Sequence, residues 1–247
     1  MKQSLTWGAL GLCVYMVFLV IKLPAVQVLG YLSLPPEIKL QGVKGTIWQG
    51  QALNATIQGL PVSTITWSLD FWPLLLGNIS ADISAGNIRQ VDAIAFNGEV
   101  VFASDRLQLD NVQAYFPTNL MMTLLPLPFP VKAEGRFKVQ VAELDYRQSC
   151  QTLKGSGQWL NAKVAGVEGM IELGNFNADM SCENNDIILS VKEPNSFGLT
   201  AQATIPADLK FSVTGRFKPN ANLPEEVHQA AQFFGNKDTQ GYYTIKF

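Results

Sequence analysis

Histidine occurs once in this chain of 247 residues, as His228. A zinc site or a histidine-based catalytic triad would have to rest on that one side chain, which argues against both chemistries. Charge is also scarce. Lys, Arg, Asp and Glu make up 15% of the residues, against about a quarter in ordinary soluble chains. The 18 basic residues are scattered and the net charge is −2, so no basic stripe tracks a phosphate backbone and nucleic acid drops out as a partner. The chain has no G-x-G-x-x-G, no GK[ST] and no G-x-S-x-G, which removes the nucleotide-cradling loop and the nucleophile elbow. Asp70, Asp82, Asp92, Glu99, Asp105 and Asp110 stand singly and form neither a calcium loop nor a carboxylate pair. The expectation is a chain that is not an enzyme and carries no catalytic residue, no cofactor and no metal.

What the chain has instead is apolar. From 5 to 23 it reads LTWGALGLCVYMVFLVIKL, and Lys22 is its only charge. As a helix this stretch spans about 28 Å, close to the hydrocarbon thickness of a bilayer. A cleaved signal peptide would have an apolar core of about 7–15 residues, followed by small residues at the cleavage site. Here the run is longer, and Leu23 stands where a small residue is wanted. The reading is an uncleaved anchor: 1–4 a cytoplasmic tail, 5–23 a transmembrane helix, 24–247 outside the cytoplasm. Lys22 snorkels at the far interface, and Trp7 and Tyr31 fall at opposite interfaces. Cys13 then lies mid-membrane as a small apolar side chain.

Beyond the anchor, alternation of period two dominates. Phe137, Val139 and Val141 alternate with Arg136, Lys138 and Gln140; Phe211, Val213 and Phe217 alternate with Lys210, Ser212, Thr214 and Arg216. Ile65, Trp67, Leu69 and Phe71 share a face, as do Ile187, Leu189 and Val191. This is the pattern of half-buried antiparallel strands. Gly77-Asn78, Gly86-Asn87, Asn97-Gly98, Asp110-Asn111 and Asn184-Asn185 read as the turns between about a dozen of them. Two stretches break the pattern. Residues 118–125 (TNLMMTLL) read as a short helix or buried turn, and 222–235 (NLPEEVHQAAQFFG) as a helix opened by Pro224 and stopped at Gly235. The predicted fold class is mainly β: one N-terminal transmembrane helix, then an antiparallel, curved sheet with a short C-terminal helix.

Within that sheet, GVKGTIWQGQA (42–52) is the most distinctive stretch. Gly45 and Gly50 bracket Trp48, and glycine in a strand pattern marks a bulge, a bend or a close backbone approach. Together with the N-terminal anchor, GTIWQGQA at 45–52, WSLDFWPLLLGNISADISAG at 67–86, PFPVKAEGRFKVQV at 128–141 and LKGSGQWLNAKV at 153–164 resemble the type II secretion system protein N family over nearly the whole chain. The family-motif positions are Gly45, Thr46, Trp48, Gly50, Trp67 and Gly77. The resemblance implies a single-pass inner-membrane protein of Gram-negative bacteria with its bulk in the periplasm. It implies a non-enzymatic accessory part in exporting folded proteins, through contacts with other secretion subunits. The alternative kept open is a periplasmic protein that binds lipid or another hydrophobe in an open β-sheet trough, with Phe137 and Phe211 facing inward.

Several features carry two readings. Cys150 and Cys182 lie outside the anchor, where an oxidising compartment pairs lone cysteines into a disulfide; the other reading is two reduced thiols in separate strands. The bridge would close a loop of about 33 residues and stabilise by roughly 3–4 kcal/mol. His228 beside Glu225 and Glu226 is a ligand or a solvated helix residue. Trp48, Trp67, Trp72 and Trp159 form an aromatic patch or fill a core. Trp72, Leu74, Leu75 and Leu76, with Met121 and Met122, form two apolar runs off the strand pattern. These are the candidate partner contacts: they line a groove, dock a partner, dip into the membrane or plug the open side of the sheet.

Overall fold

The computed structural model describes residues 2–31, 35–57, 59–124, 132–208 and 210–246, with all of their side chains except those at 2–6, 8, 9, 123 and 124. Helices α1 (Lys2–Ile21) and α2 (Ala25–Tyr31) come first. Strands β1 (Ile38–Gln41), β2 (Lys44–Gly45), β3 (Gln49–Ile57) and β4 (Leu60–Leu69) lead to the short helix α3 (Phe71–Leu75). Then follow β5 (Ile79–Ala85), β6 (Ala95–Ala103), β7 (Arg106–Pro117) and helix α4 (Thr118–Leu124). The longest strands come next: β8 (Ala133–Arg147), β9 (Ser149–Ala165) and β10 (Met170–Glu183). After β11 (Asp186–Val191), β12 (Thr200–Ile205) and β13 (Ser212–Phe217), helix α5 (Glu225–Ala231) and a 3-10 turn (Gln232–Phe234) precede β14 (Tyr243–Lys246).

The strands form one 14-stranded antiparallel sheet in chain order, with only β2 off the path as a second partner of β3. The sheet runs from β1 to β14 and is not closed. Two dipeptides expected at turns lie inside strands. At Asn97-Gly98 the β6–β7 register shifts, and Asn111 adopts φ +50° in the middle of β7. Positive φ serves a bulge as well as a turn, so the dipeptide alone does not distinguish them. At Asn184-Asn185, with φ of +52° and +72°, the expected tight turn does join β10 to β11. The C-terminal helix is shorter than its sequence signals, since its last turn tightens to 3-10 before Gly235 at φ +102°.

Among the described residues no helix is long and apolar enough to cross a membrane, so the span expected at 5–23 lacks that support. The helix also ends earlier than expected, at Ile21. Pro24 has no N–H to continue the ladder and disfavours helical geometry at Leu23.

The core lies along one row of the sheet. Phe137 pairs with Trp159, and Trp159 with Phe176, across β8, β9 and β10. Their rings stack at 5.5 and 5.7 Å between centroids, and the row continues through Phe197 and Phe217 to Tyr243. Val112, Val141, Cys150 and Leu153 form a second buried cluster on β7, β8 and β9. Cys150 and Cys182 are disulfide-bonded there, their Cα atoms 5.6 Å apart, tying β9 to β10. Arg136, expected to face solvent with Lys138 and Gln140, is instead 9% exposed. Its guanidinium stacks on Tyr115 at 4.3 Å and donates to the carbonyls of Ile88 (2.5 Å) and Ala93 (3.4 Å), pinning the loop between β5 and β6. Burial pushes its pKa below the usual guanidinium value. Phe211 falls just before β13 and is 49% exposed, so it does not face inward.

Candidate functional site

The sheet's start is a tight hairpin built from the glycine–tryptophan element. Gly45 and Gly50 are direct cross-strand partners in β2 and β3. Thr46 closes the loop between them: its N–H donates to Gln49 O at 2.9 Å, and its Oγ1 accepts from Gln49 N at 3.1 Å. Neither glycine can gain a methyl group. At Gly45, with φ +91°, a Cβ would sit 2.5 Å from Gln49 O. At Gly50 it would overlap Trp67 Cζ2 and meet Lys44 O at 2.9 Å. The Trp67 ring therefore lies directly on Gly50, and its Nε1 donates to Ile47 O at 3.1 Å.

The hairpin tip holds the C-terminal end of α1. Trp48 Nε1 donates to Val20 O at 2.8 Å. Ile47 N–H donates to Leu23 O at 3.1 Å, and Pro24 bridges Thr46. The last four carbonyls of a helix lack intrahelical partners, and Val20 O is one of these. It takes the indole and, at 3.3 Å, the N–H of Leu23. Trp48 is thus half-buried and acts as a clasp.

Trp48 also meets α3, its ring 5.4 Å from that of Phe71. Phe71 is not the last inward residue of a strand, as its spacing suggests, because β4 ends at Leu69 and the chain turns into α3. Asp70 before the helix accepts from Ser80 Oγ at 2.7 Å. The helix stands out from the sheet: Phe71 is 44% exposed, Trp72 76%, Leu74 38%, Leu75 63% and Leu76 81%. Gly77, at φ +80°, turns the chain back with open space around it. Beside it Ile79 and Phe102 are cross-strand partners on β5 and β6, exposed at 47% and 53%. Between α1 and α3 lies a cleft of about 900 Å³, walled by Met16, Val17 and Val20 on one side and Trp48, Leu69 and Phe71 on the other.

The two apolar runs singled out in the sequence do not share a surface. Helix α3 links β4 to β5 at one end of the strands; α4 links β7 to β8 at the other. Met121 and Met122 on α4 are half-buried, and Leu120 packs against the cluster of Ala55, Val62, Ala85 and Ile94. Residue 125, which closes that run, and 128–131 of the PFPV stretch lie outside the described residues. Trp159 belongs to the core row; its Nε1 donates to Thr118 Oγ1 at 2.9 Å and to Glu134 O at 3.2 Å.

Two apolar grooves adjoin the core row. One, about 460 Å³, lies over β8 to β11 and is lined by Phe137, Val139, Trp159, Phe176 and Met180. The other, about 600 Å³, lies under α5 and includes Phe217, Val227 and Phe234; both touch Phe197 and Leu199. Sequence reasoning missed Phe102 and Phe197, each a lone aromatic at the margin of a strand or in a loop, where alternation carries no signal. Polar groups do not converge in either groove. Among the described residues no group of three or more His, Cys, Asp or Glu is placed to hold a metal ion. His228 is half-buried on α5. The best-made charge pair, Arg106 bidentate to Asp145 at 2.9 Å for both contacts, ties β7 to β8 and holds the Asp145 carboxyl below the usual carboxylate range.

Comparison with known proteins gives a consistent result. Residues 36–246 match the family described as type II secretion system (T2SS), protein N. The type II secretion system protein N of Vibrio cholerae serotype O1 is 30% identical, over 98% of this chain and 97% of the relative. The proteins of the same name from Aeromonas hydrophila and Klebsiella pneumoniae are 26% and 25% identical, covering 100% and 98% of this chain and 98% and 94% of theirs. No solved structure matches the chain.

Proposed function

The chain belongs to the type II secretion system protein N family, and from that premise we propose that it is a non-enzymatic accessory component of the type II secretion apparatus, acting through contacts with other subunits. The observation that carries this reading is the family match over 36–246, which takes in the whole sheet. The sheet offers contact sites: among the described residues β1 and β14 are unpaired edges, and such an edge is a ready template for a partner strand. Met121 and Met122 on α4 add an adaptable apolar surface at the end of the sheet away from α3.

The proposed setting is the inner membrane, with α1 as a single anchor, the N-terminus in the cytoplasm and the sheet in the periplasm. What supports it is the exposure of α1: every described side chain from 10 to 21 is exposed, Leu10 at 57%, Val14 at 63% and Phe18 at 58% among them. A helix apolar on all sides needs an apolar surrounding. The periplasmic setting also suits the Cys150–Cys182 bridge, since disulfides persist in oxidising compartments. The open-trough reading is not favoured, because the family match points to the secretion machinery.

Deleting the gene in its host tests the role. Exported folded proteins are expected to accumulate in the periplasm, and their extracellular level to fall and be restored by the wild-type chain. Unchanged export in the deletion strain would overturn the reading.

A further inference from the structure

Among the described residues the apolar end of the sheet around α3 is exposed, and its position points to what covers it. We propose that Phe71, Trp72, Leu75, Leu76, Ile79 and Phe102 rest on the phospholipid leaflet from which α1 emerges. The proposal rests on the reading of α1 as a membrane anchor.

Three observations carry it. First, α3 is attached to α1 itself. The Trp48 indole is bonded to Val20 O and packed on Phe71, so the end of α1 and the start of α3 are joined through one side chain. Second, the depth fits. The cleft shared by α1 and α3 reaches from Ile21 back to Met16, five residues and so about 7.5 Å along the helix axis. Interfacial helices bury their apolar face by about 5–10 Å at the headgroup boundary. If α1 spans, Phe71 stands at that level without any movement of the sheet. Third, the patch has the right chemistry. Trp72 and Leu76 are 76% and 81% exposed, Ile79 and Phe102 extend the surface across two strands, and the nearby Asp70 carboxylate is hydrogen-bonded to Ser80. Tryptophan is enriched at the membrane interface, where one edge stays wet. Lys22, also exposed at this cleft, places a cation at headgroup level.

Site-specific photocrosslinking of the full chain tests this directly. The chain is reconstituted into vesicles of phosphatidylethanolamine and phosphatidylglycerol. A benzophenone amino acid replaces Val14 in α1, Trp72, Phe102 or, as control, Val167. Val167 is 90% exposed but lies in the β9–β10 connection, at the opposite end of the strands. Lipid adducts are expected at 14, 72 and 102, with yields at 72 and 102 at least about tenfold above that at 167, since only the interfacial surface meets acyl chains. Adducts at 14 but not at 72 and 102 would overturn the leaflet contact and leave the anchor standing. No adduct at 14 would overturn the anchor reading, and the leaflet contact with it. Equal adducts at 72, 102 and 167 would show that exposed apolar residues gather lipid wherever they lie, which also overturns the proposal.

Discussion

Trp159→Ala is expected to lower the unfolding free energy by about 3–5 kcal/mol, the range for deleting a large aromatic from a packed site. The ring is stacked between Phe137 and Phe176, so its removal opens the centre of the core row and takes a wall from the groove over β8 to β11. It also strips a partner from Thr118, whose side chain is almost wholly buried at 1% exposure. Trp159→Phe separates the two effects. It keeps a ring in the row but loses the N–H, and should cost only about 1–2 kcal/mol, the order of one buried hydrogen bond. Urea unfolding of the purified full chain, followed by near-UV circular dichroism, measures both. Equal losses for the two variants would place the stability in the hydrogen bond and not in the stack.

A single methyl group added at Gly50 is expected to have nearly as large an effect. The new Cβ would overlap Trp67 Cζ2, so the indole must leave its place on the hairpin and give up its bond to Ile47 O. Overpacking of this kind costs about 1–3 kcal/mol and more when the obstacle is backbone. Here Lys44 O stands 2.9 Å away as well. Gly77→Ala is the matching control. It adds the same methyl group into open space at φ +80°, so only the left-handed backbone penalty of about 1–2 kcal/mol applies. The distinguishing readout is local. Gly50→Ala should alter Trp48 and Trp67 fluorescence and loosen the hold on α1, measured as faster amide exchange at Ile47 and Leu23. Gly77→Ala should leave those amides protected. Unchanged exchange in Gly50→Ala would show that the hairpin does not need the bare glycine.

The antiparallel sheet was legible in the sequence because one face is buried and the other is wet, and that asymmetry imprints period two. Val141 and Gln140 show it: Val141 is buried and its neighbour Gln140 is exposed. The pattern failed where a second layer covers the opposite face. Arg136 reads as an outward cation, yet it is enclosed by Tyr115 and the loop from Ile88 to Ala93, which lie far from it in sequence. It failed again at Asn97-Gly98 and Asn111, where a bulge uses the same residues as a turn. The glycine–tryptophan element was legible as part of the sheet, but Trp48 itself lies in the loop between β2 and β3, and its role depends on a bond to Val20, 28 residues earlier, which no local spacing can encode. The two apolar runs were visible as runs. That α3 stands at the end of the sheet beside α1 while α4 lies at the other end depends on the connection order of the strands.

These placements give the molecule a polarity: among the described residues one end of the sheet is fastened to α1, while α4 and the edge strands β1 and β14 are not. The most direct test is photocrosslinking in the native host, with the benzophenone residue at Lys39 on β1, Met121 on α4 or Thr244 on β14 of the full chain. Adducts are expected at one or more of these positions, identified by mass spectrometry as other subunits of the type II secretion apparatus. A folded, normally expressed chain that crosslinks to none of those subunits at any of the three positions would contradict it.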